Sequence, residues 1–400
     1  MQPIVVASLK NISQDTECIA TIHGSGISCM KRSSLLKTYA IKGLQRFDTL
    51  CFTSEDMQKD FIRILQTSSD LPASVDLDEW KNKMRVIPPG VDIEMFRPLA
   101  SEESRSSLLK GVLQSTKGNS QMGPYLIGEE HYWETDVLEI FRLSTVDTTL
   151  HPLVLYDGRY LWTKGIQLIV MAIPLVLQKL PNARFVFTGF GPTQTYAETL
   201  ISYLHHGREE LFLESIQHPD LWDSLIDIAS VKYLQSFLDW MQDPLFREKY
   251  FYTAKNEIKK DVYFTGYLDQ PVLSKLIRSM ALTVFPFIVP ESFGQVAIES
   301  FSSGILPLMT NCGAFAEIDT IYREALRPLF PHIYTKPLPL DEELVFSINK
   351  GIVDTLKALQ ELSEIERKEL RDLLHTVTES VFSWESMIQQ YLTVLQKQKH

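Results

Sequence analysis

Two carboxylates and two cations stand at spacings suited to holding a phosphorylated ligand. In Pro290-Glu-Ser-Phe-Gly-Gln-Val-Ala-Ile-Glu-Ser300, Glu291 lies just before an expected helix start near Gly294, and Glu299 lies about two turns beyond it. The unpaired amides near Phe293, Gly294 and Gln295, with the positive helix end, make an anion site. The same spacing also fits plain structural parts, Glu291 as a first-turn carboxylate and Glu299 as a solvated helix residue. In Asp157-Gly-Arg-Tyr-Leu-Trp-Thr-Lys-Gly165, Arg159 and Lys164 flank a loop that leaves a strand at Gly158. Such a pair can clamp a diphosphate and stabilise a leaving phosphate without a metal, or can simply be two surface cations in a turn. Gly189-Phe-Gly191-Pro192 ends the next strand, with Gln194 where a dinucleotide fingerprint has its third glycine. His23, beside Gly24 at the end of an apolar run, is either a structural residue or one that touches a ligand across a cleft.

The elements that must position these groups follow a clear rhythm in the second half. Apolar runs at Leu153–Tyr156, Arg184–Thr188, Val262–Thr265, Leu282–Phe285 and Ile305–Met309 alternate with helical patterns. That alternation predicts βαβ units and a parallel sheet, which binds ligands at the carboxyl ends of its strands. The first ninety residues repeat the texture with strands expected at Cys18–Ile22, Thr49–Phe52 and Met84–Ile87, while residues 4–9 suit either a strand or a helix. Residues 193–261 read as a helical insertion with Trp222 and Trp240.

Composition bounds the function. The 400 residues are 44% hydrophobic and 22% charged, so a real core forms and two domains are expected. A net charge of −11 argues against a nucleic-acid binder. Cys18, Cys29, Cys51 and Cys312 form no paired or zinc-type pattern, so neither disulfides nor a metal is expected. The longest apolar stretch, Ile166–Leu180, is too short and too interrupted to span a bilayer, and the opening residues do not read as a signal peptide. A cytoplasmic protein is expected. Lys31, Arg32, Lys37, Lys42 and Arg46, interleaved with Leu35, Leu36, Tyr39, Ile41 and Leu44, read as one basic amphipathic helix, which either docks peripherally on anionic lipid or is an ordinary surface helix.

Taken in order, the motifs have a family likeness. His23-Gly24, Val86-Ile-Pro-Pro-Gly-Val-Asp92, Gly158-Arg159 with Lys164-Gly165, Gly189-Phe-Gly191-Pro192, Phe264-Thr-Gly266, Glu291-Ser-Phe-Gly294 with Glu299, and Gly313 with Glu317 together resemble the group 1 (family 4) glycosyltransferases. Phe382-Ser-Trp384-Glu385 resembles that family's closing helix. The resemblance implies an α/β GT-B fold, two Rossmann-like domains facing across a cleft. It also implies metal-independent, retaining transfer from a nucleotide-diphosphate-sugar donor, with no cofactor besides that substrate and an acceptor left unidentified. Arg159 and Lys164 would bind the diphosphate, and Glu291 with the amides of Phe293 and Gly294 would hold sugar and phosphate. Glu299 would take the ribose hydroxyls, Gly189 and Gly191 would permit close packing at the nucleotide, and His23 would reach the sugar. The expected organisation is residues 1–98 as a shortened first domain, 99–150 as a linker or insertion, 151–380 as the donor domain and 381–400 as the returning helix. A partner chain completing the first domain, or a protein that binds donor without catalysis, is the rival expectation.

Overall fold

The computed structural model describes residues 18–67, 76–100, 104–116, 135–222, 228–333 and 336–397. Residues 4–9, expected as strand or helix, lie outside them. The first domain runs β1 (Ile19–Ile22), α1 (Gly24–Arg32), α2 (Ser34–Leu44), β2 (Thr49–Phe52), α3 (Glu55–Gln66), α4 (Leu77–Lys83) and β3 (Met84–Val86). Its described strands pair in parallel in the order β1-β2-β3. Every residue of β2 is buried, as a central parallel strand covered on both faces requires. The hydroxyl of Ser54 caps α3 by accepting from the Met57 amide, and Met57, Phe61, Ile64 and Leu65 bury one face of that helix.

The expected single basic helix over residues 31–46 is two helices. Ser33 adopts an extended backbone between them and its hydroxyl accepts from the Leu36 amide to start α2. A serine placed to satisfy a free helix-start amide outweighs a cation pattern that continues across it. Ile41 and Leu44 are buried, whereas Leu35, Leu36 and Tyr39 are exposed. Lys31 is drawn to Asp60 of α3 at 2.6 Å.

The second domain is preceded by α5 (Ser104–Thr116) and α6 (Val137–Ser144). Leu109, Val112, Ile140 and Leu143 belong to its core, so the stretch expected as a linker or insertion supplies two packed helices. There follow β4 (Leu153–Asp157), α7 (Ile166–Leu177), β5 (Arg184–Thr188), α8 (Gln194–His206), α9 (Glu209–Gln217), α10 (Gln235–Trp240), α11 (Pro244–Asp261), β6 (Val262–Gly266), α12 (Gln270–Arg278), β7 (Leu282–Phe285), α13 (Gln295–Ser302), β8 (Pro307–Met309), α14 (Ala314–Leu326), α15 (Leu344–Glu361), α16 (Glu364–Phe382) and α17 (Trp384–Lys397). The five strands are parallel in the order β6-β5-β4-β7-β8. The chain builds outward from β4 on one side, then crosses to β7 on the other. That reversal leaves a crevice between the carboxyl ends of β4 and β7. All twelve residues of α7 are buried, Gln167 included, so its apolar composition serves the core of this domain. Among the described residues no helix is long and apolar enough to cross one.

Two crossings join the domains side by side. The Val91 amide donates to the Phe382 carbonyl at 2.8 Å, and the Trp384 indole donates to the Gly90 carbonyl at 3.1 Å. A Cβ on Gly90 would lie 2.3 Å from the Trp384 ring, so the crossing leaves no room for a side chain at Gly90. Beyond the crossing, α17 lies on the first sheet: Met387, Tyr391 and Val394 pack with Ile19, Cys51 and Ile87.

Candidate active site

A cavity of about 440 Å3 sits in the crevice at the carboxyl ends of the second sheet. From the end of β4 it takes Asp157, with Gly158, Arg159 and Lys164 from the loop that follows. From the end of β5 and the turn after it come Thr188, Gly189 and Phe190, and from the far side Glu291, Gly294, Gln295 and Glu299. Eight sequence-selected residues, among them Arg159, Lys164, Glu291 and Glu299, thus meet around one space.

The loops that carry them are laced together. The Tyr156 hydroxyl donates to the Arg159 carbonyl at 2.9 Å, and the Gly158 amide donates to the Thr188 carbonyl at 3.2 Å. The Tyr160 amide donates to the Phe190 carbonyl at 2.6 Å. The glycines are required by contacts within the chain. A Cβ on Gly189 would meet the Gly158 carbonyl oxygen at 1.8 Å, and one on Gly191 would meet that of Tyr160 at 2.5 Å. They permit loop-to-loop contact within the chain, and Gly191 does not line the cavity.

Gly294 caps α13 with φ +85°, a conformation that L side chains rarely adopt, and its Cβ would also strike the Phe315 ring. The turn it allows starts α13 at the cavity, which Gln295 and Val296 line, and the first amides of a helix lack intrahelical partners. The Phe293 side chain instead packs on Phe382, with ring centroids 6.0 Å apart. Lys164 pairs with the Glu291 carboxylate and lies 3.9 Å from the centre of the Phe287 ring. Arg159 lies over Phe190 at 5.7 Å.

Glu299 is 2% exposed, which overturns its reading as a solvated helix residue. Burial, with Asp157 nearby, raises its pKa to about 8, opposed by hydrogen bonds with Gln270 and Gln295. Gln270 donates to Glu299 at 3.4 Å. Asp157 is equally enclosed, and burial raises its pKa to about 7. Asp157, Gln270, Phe190 and Tyr267 line the cavity but were not singled out as site residues from the sequence. The signal for Asp157 was present: it is the last strand residue before Gly158, although an Asp-Gly pair there reads simply as a turn.

His23 is exposed and does not line the cavity. It precedes α1 across the cleft, where the neighbouring Gly24 comes so close that an added Cβ would be 1.8 Å from the Ser292 hydroxyl. Two further contacts close that face. The Thr53 hydroxyl donates to the Ser292 carbonyl at 2.9 Å, and the amides of Glu55 and Asp56 donate to the Glu317 carboxylate at 2.9 and 2.6 Å. Among the described residues no group of three or more His, Cys, Asp or Glu is placed to hold a metal ion.

Comparison with known proteins gives this architecture a class. Solved structures align over nearly the whole chain. HepE of Anabaena, in complex with UDP and glucose, has a TM-score of 0.54 at 13% identity, over 99% of this chain and 75% of that one. Sucrose-phosphate synthase from Thermosynechococcus elongatus has a TM-score of 0.52 at 16% identity, over 98% of this chain and 71% of that one. The fold is GT-B. Within it, residues 244–320 match the family of glycosyl transferases group 1. An uncharacterized glycosyltransferase of Methanocaldococcus jannaschii is 23% identical over 186 residues, which is 46% of this chain and 33% of that protein. The match therefore spans about a third of that curated relative's length.

Proposed function

We propose that the chain is a retaining, metal-independent glycosyltransferase whose donor is a nucleotide-diphosphate sugar. The observation that carries this reading is the convergence of Arg159, Lys164, the amide end of α13 and the buried Glu299 on one cavity at the sheet's reversal point. The nucleoside lies toward Phe190, Tyr267 and Glu299, and the diphosphate toward Arg159, Lys164 and the helix end. As the bond from the sugar's anomeric carbon to the phosphate oxygen breaks, negative charge grows on the diphosphate. Arg159 and Lys164 stabilise that charge where a metal would otherwise do so. Lys164 has three N–H donors, so it can keep Glu291 while it holds a phosphate oxygen. Glu291, so fixed, lines the sugar end of the cavity.

HepE is described with UDP and UDP-glucose, so UDP-sugars are the first donors to try. A thermal-shift screen across UDP-, GDP- and ADP-sugars should find one that stabilises the chain, by about 2.7 kcal/mol at 100 times its dissociation constant. Sugar transfer or donor hydrolysis with that donor should persist in EDTA. No stabilisation by any of the three classes would overturn the donor assignment, and activity restored only by manganese would overturn the metal-free mechanism.

A further inference from the structure

Among the described residues none of the helical insertion, residues 193–261, lines the donor cavity. The insertion nonetheless reaches the loop that carries the cavity's two cations. The contact is made by Trp162, which stands between Arg159 and Lys164 and is 6% exposed. Its indole N–H donates to the Ser230 hydroxyl, in a 3-10 helix over Ile228–Leu234. The centre of its ring lies 5.8 Å from that of Tyr196 on α8, and Tyr196 in turn meets Trp222 edge-on at 5.5 Å. A buried indole needs a partner for its N–H, so the ring contact and the hydrogen bond together fix where Trp162 sits.

Both anchors are themselves held. The Tyr196 hydroxyl donates to the Ser215 carbonyl of α9 at 3.0 Å. Just past Ser230, Leu234 and Phe237 are buried in the core of the second domain, and the Ser236 hydroxyl donates to Glu343 at 2.6 Å. What they hold is the start of a short turn, Trp162–Lys164. In it the Lys164 amide donates to the Leu161 carbonyl at 2.9 Å, and the Gly165 amide to that of Trp162 at 3.1 Å. Elements of the sheet layer grip the same turn from other sides. The buried Gln167 of α7 donates to the Trp162 carbonyl at 3.1 Å, and the Ile288 amide donates to that of Thr163 at 3.0 Å. Arg159, at the other end of the loop, is tied instead to β4 through Tyr156. An ammonium on a flexible four-carbon stem reaches a fixed point only if its backbone is fixed, and a misplacement of about 1 Å can slow a reaction about 100-fold.

Resting on the donor reading above, we propose that the insertion is a positioning device for Lys164. Through Ser230 and Tyr196 it fixes Trp162, and through Trp162 the turn that sets the Lys164 ammonium against the leaving phosphate. Trp162 and Ser230 are thus positioning residues, acting through Lys164 rather than on the substrate. Ser230→Ala removes the acceptor at a half-buried position, Trp162→Phe removes the donor but keeps a ring against Tyr196, and Ser230→Thr keeps the hydroxyl. Hydrogen exchange on the full chain should quicken at the Lys164 and Gly165 amides in the first two and match the unsubstituted chain in Ser230→Thr, with melting temperature little moved. With the donor found by thermal shift, Ser230→Ala should lower kcat roughly tenfold, and Ser230→Thr should restore it. In a Lys164→Ala chain the same Ser230→Ala change should lower kcat by less than about twofold, because the group it positions is gone. Unchanged exchange at those two amides, or an equal loss of kcat with and without Lys164, overturns the proposal. Absence of any donor turnover by the unsubstituted chain is a different result: it removes the donor reading, and this role with it.

Discussion

At the scale of single residues, charge placement decides the outcome. On the proposed mechanism, Arg159→Ala and Lys164→Ala should each lower turnover by roughly 100- to 1000-fold, because each would remove a donor to growing charge. Melting temperature should move little, since Arg159 is exposed and Lys164 only half-buried; steady-state kinetics beside a thermal melt checks both. Asp157 and Glu299 make a pH prediction. Burial holds their carboxyls protonated up to about pH 7 and 8. The folded chain therefore binds more protons than the unfolded one from about pH 4 to 8, and stability contributed by these groups falls as pH rises through that window. Melting curves from pH 5 to 8 should fall less steeply for Asp157→Asn than for the unsubstituted chain. Donor affinity should run the other way, rising with pH as Glu299 ionises to accept ribose hydroxyls, and Glu299→Gln should lose that dependence in a calorimetric titration. Much at this scale was legible: Arg159, Lys164, Glu291 and Glu299 were selected because their types and strand-end positions suit phosphate and hydroxyl ligands. The burial of Glu299 was not, since it follows from how α13 packs rather than from any spacing.

At the scale of elements, the second domain's strands were the most legible because short β-branched and aromatic runs stop at glycine, aspartate or proline. The break at Ser33 was hidden, as lysines and leucines continue on both sides of it. Also hidden was the joining of α3 to α14, which no sequence pattern ties together. Glu317 sits in the first turn of α14, yet its carboxylate takes the two leading amides of α3 in the other domain. It acts as a borrowed cap, where a helix start favours negative charge. Burial raises its pKa, so the contact is lost on acidification sooner than an ordinary carboxylate would allow. Glu317→Gln should loosen the closed cleft, with faster hydrogen exchange at residues 55–58 and a few-fold weaker donor binding. Unchanged exchange at those amides would show that the contact contributes nothing to closure.

At the scale of the whole molecule, the two domains are joined where Gly90 meets Trp384, and the final helix crosses back over the first sheet. Cys51 lies under that helix, fully buried, with its thiol pushed up to about 11 by burial. A maleimide reagent should therefore label the exposed Cys29 quickly and Cys51 hardly at all, whereas deletion of residues 384–400 should open Cys51 to labelling within the same interval. If Cys51 stays protected in the shortened chain, α17 is not what shields it. The same feature bears on how the molecule is made. Val394 follows Cys51 by 343 residues. At about 5 to 20 residues per second, the ribosome would hold the first sheet partly bare for tens of seconds before its cover emerges. The first sheet is thus made early and completed late, and its apolar surface would need a chaperone's protection until α17 emerges.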